Sequence, residues 1–398
     1  MATDMATLAT VAPAPREIPH TVSPSLWTLA WRRLVQDSVA MVSMAIVAAY
    51  LVMIALSASG LIAADWSREV GVNYAPPTFM GPDASSAAPE AVAAKASTGE
   101  TLASTYRSTI VDPLAGVLAQ IRGEAKPAAP PAKAGEAAPD ASVDPLADVM
   151  ADIRAGKGVT AAVPEARAAT LPFGGDKWGR DILKKTIKGS QTSIFVGIAS
   201  AVLATFLGTL FGALAGYYGK WVDDFFNWFY SVFSSIPYLL LILAVAAVLK
   251  QKGMITIVLI LGLTGWSGVF RLIRGEYLKH KAREYVQAAD AIGASNLRRM
   301  FVHIFPNVSH VVLVQLSILT VAFIKSEVIL SFLGFGVPVD VVSWGSMLNE
   351  AQNELILGKW WQLVAATVAM ATLVTAFSLF TDALRDALDP KLKGQAGH

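Results

Sequence analysis

Apolar blocks as long as a bilayer's hydrocarbon core is thick recur along this chain, and they leave few folds open. A helix rises 1.5 Å per residue, so roughly 20 residues cross a core of about 30 Å. Blocks of that length lie at about 39–64, 194–217, 226–249, 254–272, 308–333 and 361–384. In hydrocarbon, every backbone N–H and C=O must find its partner internally, so such blocks fold as helices. Only 16% of the 398 residues are charged and 54% are hydrophobic. Soluble domains are about 25% charged. The expected fold class is an all-α polytopic membrane protein with six transmembrane helices.

The first block is read as an uncleaved anchor, because the apolar core of a signal peptide is only about 7–15 residues long. Trp27, Trp31, Arg32 and Arg33 precede it. With six spans, both termini share a side. Arg32, Arg33, Arg271, Arg274, Lys279, Lys281, Arg283, Arg298, Arg299, Arg385, Lys391 and Lys393 all fall on that side, which makes it cytoplasmic. Lys184, Lys185 and Lys188 fall on the other side. They follow a polar loop longer than about 60 residues, where the positive-inside rule loses force.

Composition divides the chain further. Residues 1–25 read as a disordered cytoplasmic tail, 26–64 as the N-terminal segment with the first span, and 393–398 as a second tail. Residues 65–170 form an extracytoplasmic insertion centred on EAKPAAPPAKAGEAAPDAS, too poor in apolar surface to fold alone. It carries a two-copy repeat, VDPLAGVLAQIR from Val111 and VDPLADVMADIR from Val143. Each copy starts with an Asp-Pro helix start and sets one apolar stripe at helical spacing. Such short helices need a partner. They can pack on each other, lie on the membrane, or dock an extracytoplasmic protein. The remaining five spans lie in 171–392.

The chemistry-bearing residues are few. There is no Cys, the five His are scattered, and no GxxxxGK[ST] occurs. Nucleotide in a P-loop, thiolate chemistry and Cys-ligated metals are excluded. No catalytic residue, metal, bound cofactor or nucleic-acid partner is expected. Gly208, Gly212 and Gly216 make a small-residue stripe for close helix packing. Pro237 interrupts the third span and should kink it. Lys325 and Glu327 are the intramembrane charges of the fifth span, and such charges are functional candidates. Together with Pro237 they are the candidates for a translocation path. Alternatively, Lys325 reaches the outer interface and Glu327 completes a polar contact with a neighbouring helix.

The most specific stretch is REYVQAADAIGASNLRRMFVHIFPN, Arg283 to Asn307, between the fourth and fifth spans. The run through Ala288, Ala289 and Ala291 favours a helix. Gly293 predicts a break with close backbone approach, and 297–304 a second helix before Pro306. The result is a polar knob with Arg298 and Arg299 exposed, shaped to enter a groove on another protein.

Gln287-Ala288-Ala289, Gly293 and Pro306 resemble the EAA loop of ABC importer permeases. The wording is closest to the C-type subunit of the dipeptide/oligopeptide/nickel family. GGDKWGRDILKKTIKGSQTSIFVG, SEVILSFLGFGVP with SWGSML, and DALRDALDPKL resemble further blocks of that family. The likeness covers about 26–64 and 171–392. It departs at Gln287, where the family has an acid, and in the long insertion. Glu284 is the nearest carboxylate.

The resemblance implies a non-catalytic permease subunit in the bacterial inner membrane, importing di- or oligopeptides or a peptide-like solute. It implies a second permease subunit, two cytoplasmic ATPases and an extracytoplasmic solute-binding protein. The ATPases would be engaged through Arg283, Glu284, Gln287, Ala288, Ala289, Gly293, Arg298, Arg299 and Pro306. The alternatives are an ATP-independent secondary transporter or channel, and a membrane scaffold.

Overall fold

A computed structural model describes residues 26–82, 167–249, 251, 253–338 and 340–388. The N-terminal tail, both repeat copies and the Ala/Pro tract lie outside the described residues. Those residues fold as helices: α1 (Leu26–Gln36), α2 (Ser38–Ala58), α3 (Ile182–Tyr218), α4 (Lys220–Ser234), α5 (Tyr238–Leu249), α6 (Met254–Thr264), α7 (Ser267–Lys281), α8 (Glu284–Ala291), α9 (Phe305–Phe332), α10 (Trp344–Ile356) and α11 (Trp361–Leu388). A single α-turn, Asn296–Arg298, and a π-helical turn, Arg299–Ile304, lead directly into α9.

Among the described residues, four helices are long and apolar enough to cross a membrane: Ser38–Ala58, Ile182–Tyr218, Asn296–Phe332 and Trp361–Leu388. Two bent pairs, α4 with α5 at 84° and α6 with α7 at 42°, raise the number to as many as six. The sharper bend falls at Pro237, whose ring cannot continue a helix. The gentler one falls at Gly265. The second apolar block is longer than its hydropathy suggests. The helix starts at Ile182, because Asp181 Oδ1 accepts from Leu183 N–H at 2.8 Å, 182–193 carries no proline, and Ile182, Ser190, Thr192 and Ser193 are buried.

The chain forms two compact units. The larger holds 1–64, 186–350 and 366–398. Its closest helix contact uses the glycine stripe. A Cβ at Gly208, Gly212 or Gly216 would meet the carbonyl oxygens of Trp266, Phe270 and Arg274 at 2.7, 2.8 and 2.7 Å. With no side chain on α3, the backbone of α7 comes into direct contact. Phe226, Phe229, Tyr230 and Phe233 of α4 cover Trp266, the N-cap of α7, and Phe270 within it. Asp223 anchors the start of α4, accepting from Arg274 Nε at 2.5 Å and Nη2 at 2.6 Å.

The smaller unit holds 65–185 and 351–365. Its described part has no strand, only isolated bridges: Glu69 with Arg180, Gly71 with Ala168, Pro77 with Leu171, and Gly175 with Asp181. Its polar centre is a buried ion pair, Lys185 Nζ to Asp176 Oδ2 at 2.8 Å. Asp176 Oδ1 also accepts from the backbone N–H of Trp178 and of Arg180 at 2.9 and 3.0 Å. Gln362 Oε1 accepts from the same ammonium at 3.2 Å.

Candidate functional site

The stretch Arg283–Asn307 folds as a helical corner. Arg283, in extended conformation, caps the start of α8. The helix ends in a complete Schellman motif. The N–H of Ala294 donates to Ala289 O at 3.0 Å, and that of Gly293 to Asp290 O at 2.9 Å. Gly293 takes φ +79°, the left-handed region that favours glycine. A Cβ there would meet nothing within 4 Å. Its role is the dihedral, and the close backbone approach expected from the sequence does not occur. Ser295 then caps the next turn, its Oγ accepting from Arg298 N–H at 3.4 Å.

The inner face of the corner is apolar and locked. Val286, Met300, Ile304 and Val308 pack with Ala213, Tyr217, Ile273 and Tyr277 of α3 and α7. Tyr277 Oη donates to Met300 O at 3.2 Å, satisfying a carbonyl within the π-helical turn. Polar groups brace the edges. Asn296 Oδ1 accepts from Tyr217 Oη at 3.0 Å and from Arg299 Nη2 at 2.5 Å. Arg299 also pairs with Asp290 across the corner, and Lys281 Nζ donates to Tyr217 O at 2.6 Å. Tyr285 lies 2.8 Å from His280 Nδ1. Burial pushes its phenol pKa up, so it stays neutral at physiological pH.

The outer face presents Arg283, Glu284, Gln287, Ala288 and Arg298 to solvent. Gln287 Nε2 donates to Ala282 O at 3.4 Å. Ala289 is buried, and Arg299 is turned inward onto Asp290 and Asn296. Pro306 is the second residue of α9, just after the π-helical turn, and the helix runs through it. The tip of the corner is apolar: Ile292 is 84% exposed and Leu297 60%. Sequence reasoning missed this tip and the Tyr217–Asn296–Arg299–Asp290 brace. Ile292 beside the glycine was a readable signal for the tip. The brace joins residues 79 apart in the chain, which no local pattern reveals.

The three other candidates do not join this corner. Lys325 is exposed, Glu327 is buried, and Pro237 sits at the bend between α4 and α5. Among the described residues no group of three or more His, Asp or Glu could hold a metal ion.

Residues 208–394 match the family profile of the binding-protein-dependent transport system inner membrane component. Residues 25–77 match the N-terminal TM domain of oligopeptide transport permease C. A dipeptide transport system permease protein of Bacillus subtilis is 36% identical over 221 residues, 56% of this chain and 69% of that relative. The chain belongs to this permease family. An oligopeptide permease of the same organism is 37% identical over 56% of this chain and 72% of its own length. A glutathione transport system permease of Pectobacterium atrosepticum is 35% identical over 56% and 73%. The protein is therefore an integral inner-membrane permease subunit of an ABC transport system. Such a permease works with an ATPase and a binding protein.

Proposed function

We propose that this permease carries di- or oligopeptides, or a peptide-like solute, inward, and that the corner 283–307 couples it to a cytoplasmic ATPase. The observation that carries the reading is the corner itself. A Schellman-capped knob, apolar at its tip, is braced on α3 and α7 and runs without a break into α9. A push on Ile292 and Leu297 would be passed to three helices as a rigid displacement. The cargo class rests on the relatives, whose names specify dipeptide, oligopeptide and glutathione transport.

In this reading the chain crosses the membrane six times, counting each bent pair as one span, with both termini cytoplasmic. The 65–170 insertion is extracytoplasmic. A second permease subunit completes the pathway. Two ATPases each receive one such knob, and ATP hydrolysis takes place on those partner chains. This chain needs no cofactor of its own.

The test is Gly293→Trp. The site has open space around it, so the indole would project from the knob into the partner's groove. Membrane insertion is expected to be unchanged, while ATPase co-purification and peptide uptake fall at least tenfold. Normal uptake by that variant would remove the corner from the coupling path.

A further inference from the structure

A buried acid lies outside the corner 283–307. Glu327 of α9 is 0% exposed. One turn on, Ser331 Oγ donates to Glu327 Oε1 at 2.6 Å. The second carboxyl oxygen is buried without a direct hydrogen bond. The hydroxyls of Ser193 on α3 and Ser343 before α10 are the group's other polar neighbours. Both hydroxyls already accept from backbone. Ser193 Oγ takes the N–H of Trp344 at 3.2 Å, and Ser343 Oγ takes that of Ser346 at 3.2 Å. Three hydroxyls from three elements thus surround one acid, and Ser331 is the one that donates to it.

The backbone folds around the same point. A Cβ on Gly345 would come within 2.5 Å of Ser331 Cβ and 2.6 Å of Val328 O. A Cβ on Gly336 would also fall on Ser331. Gly336, after α9, and Gly345, in α10, therefore both close on the residue that Glu327 holds by hydrogen bond. Trp344 is fully buried, its indole N–H donating to Thr186 O at 3.2 Å. A buried acid at such a junction is costly unless its surroundings are organised around it. Here the surroundings are the two ends of one loop.

We infer that Glu327 is a positioning residue: it accepts from Ser331, the residue on which Gly336 and Gly345 close, and so holds residues 333–338 and 340–343 in place against α9. Without the acid, the buried Ser331 hydroxyl loses its acceptor and with it the rotamer against which Gly336 closes. The segment then opens while the helix core stays packed.

The natural chain has no Cys, so a single introduced thiol reports without background. Val342 is 3% exposed within the segment, and Ala201 is 0% exposed in the helix core. Val342→Cys and Ala201→Cys are labelled with a water-soluble maleimide in the assembled transporter in membrane vesicles. Both should react slowly when Glu327 is intact. With Glu327→Ala, labelling at Val342→Cys should rise at least tenfold and at Ala201→Cys should not change. Glu327→Gln, which keeps a carbonyl acceptor, should stay within about threefold of the intact protein. No rise at Val342→Cys overturns the inference. So does an equal rise at both thiols, which marks general loosening, and so does a Gln variant as open as the Ala variant. If Glu327→Ala fails to assemble, Ser331→Ala keeps the acid and removes the hydroxyl that donates to it. Val342→Cys should then become several-fold more reactive, and unchanged labelling there overturns the role.

Discussion

At Gly293 a side chain would meet open space, yet the backbone sits at φ +79°. Any penalty for substitution is therefore conformational. A residue with a Cβ pays about 1–2 kcal/mol in this region, while Asn tolerates it better. Gly293→Asn should keep near-normal stability, Gly293→Ala should lose about 1 kcal/mol, and a β-branched Val should lose more. Thermal melting of the purified protein ranks the three, and equal melting would remove the dihedral argument. A second single residue tests the smaller unit. Lys185→Met leaves Asp176 buried without its cation, which costs about 3–5 kcal/mol. Adding Asp176→Asn should recover most of that loss, since its amide oxygen can still accept from Trp178 and Arg180 N–H. If the double variant melts no higher than Lys185→Met, the charge pair is not what holds that centre.

Elements were legible to the degree that their pattern is local. The apolar blocks, the proline bend at Pro237, the glycine stripe and the break after α8 all follow from neighbouring residues. Two features were not read. The apolar block from 194 does not reveal that α3 begins at Ile182, because Lys184, Lys185 and Lys188 interrupt the apolar pattern ahead of it. Lys185 is in fact neutralised by Asp176 and buried. Helix α10 lies outside the six apolar blocks, and its start is marked only by Ser343 and Ser346, which cap it reciprocally, with Ser343 N–H donating to Ser346 Oγ at 2.9 Å. The stripe gives the sharpest prediction at this scale. Gly212→Ala places a methyl 2.8 Å from Phe270 O and 3.0 Å from Arg274 N, both rigid backbone atoms. It should cost about 1–3 kcal/mol. Gly268 and Gly275, on α7 itself, would meet nothing within 4 Å, so Ala at either should stabilise the helix by about 0.5–1 kcal/mol. Opposite shifts in melting temperature are expected, and a loss at Gly268→Ala comparable to that at Gly212→Ala would show that the stripe is not special.

For the molecule as a whole, the question is what the long insertion disturbs. Its two ends are fastened beside each other within the smaller unit. Gly71 N–H donates to Gly179 O at 2.9 Å, Val72 N–H to Ala168 O at 2.9 Å, and Ala168 N–H back to Val70 O at 2.9 Å. Thr78 N–H donates to Leu171 O at 2.9 Å, and Arg167 pairs with Glu69 at 2.5 Å. The glycines make this clamp specific, since any Cβ on Gly179 would fall on Gly71 O. A chain excursion that leaves and re-enters through one clamp changes loop-closure entropy only slowly with its length, by roughly 0.6 kcal/mol per doubling. Removing 125–142 should therefore leave the clamp, the described helices and transport intact, with melting shifted by less than about 1 kcal/mol equivalent. Gly179→Val, which breaks the clamp and keeps the whole insertion, should be far worse than the deletion. Uptake and melting of the two variants, measured side by side, decide the matter. A deletion as damaging as Gly179→Val would mean that the tract itself, through a docking partner or a packed pair of repeat helices, is part of the working protein.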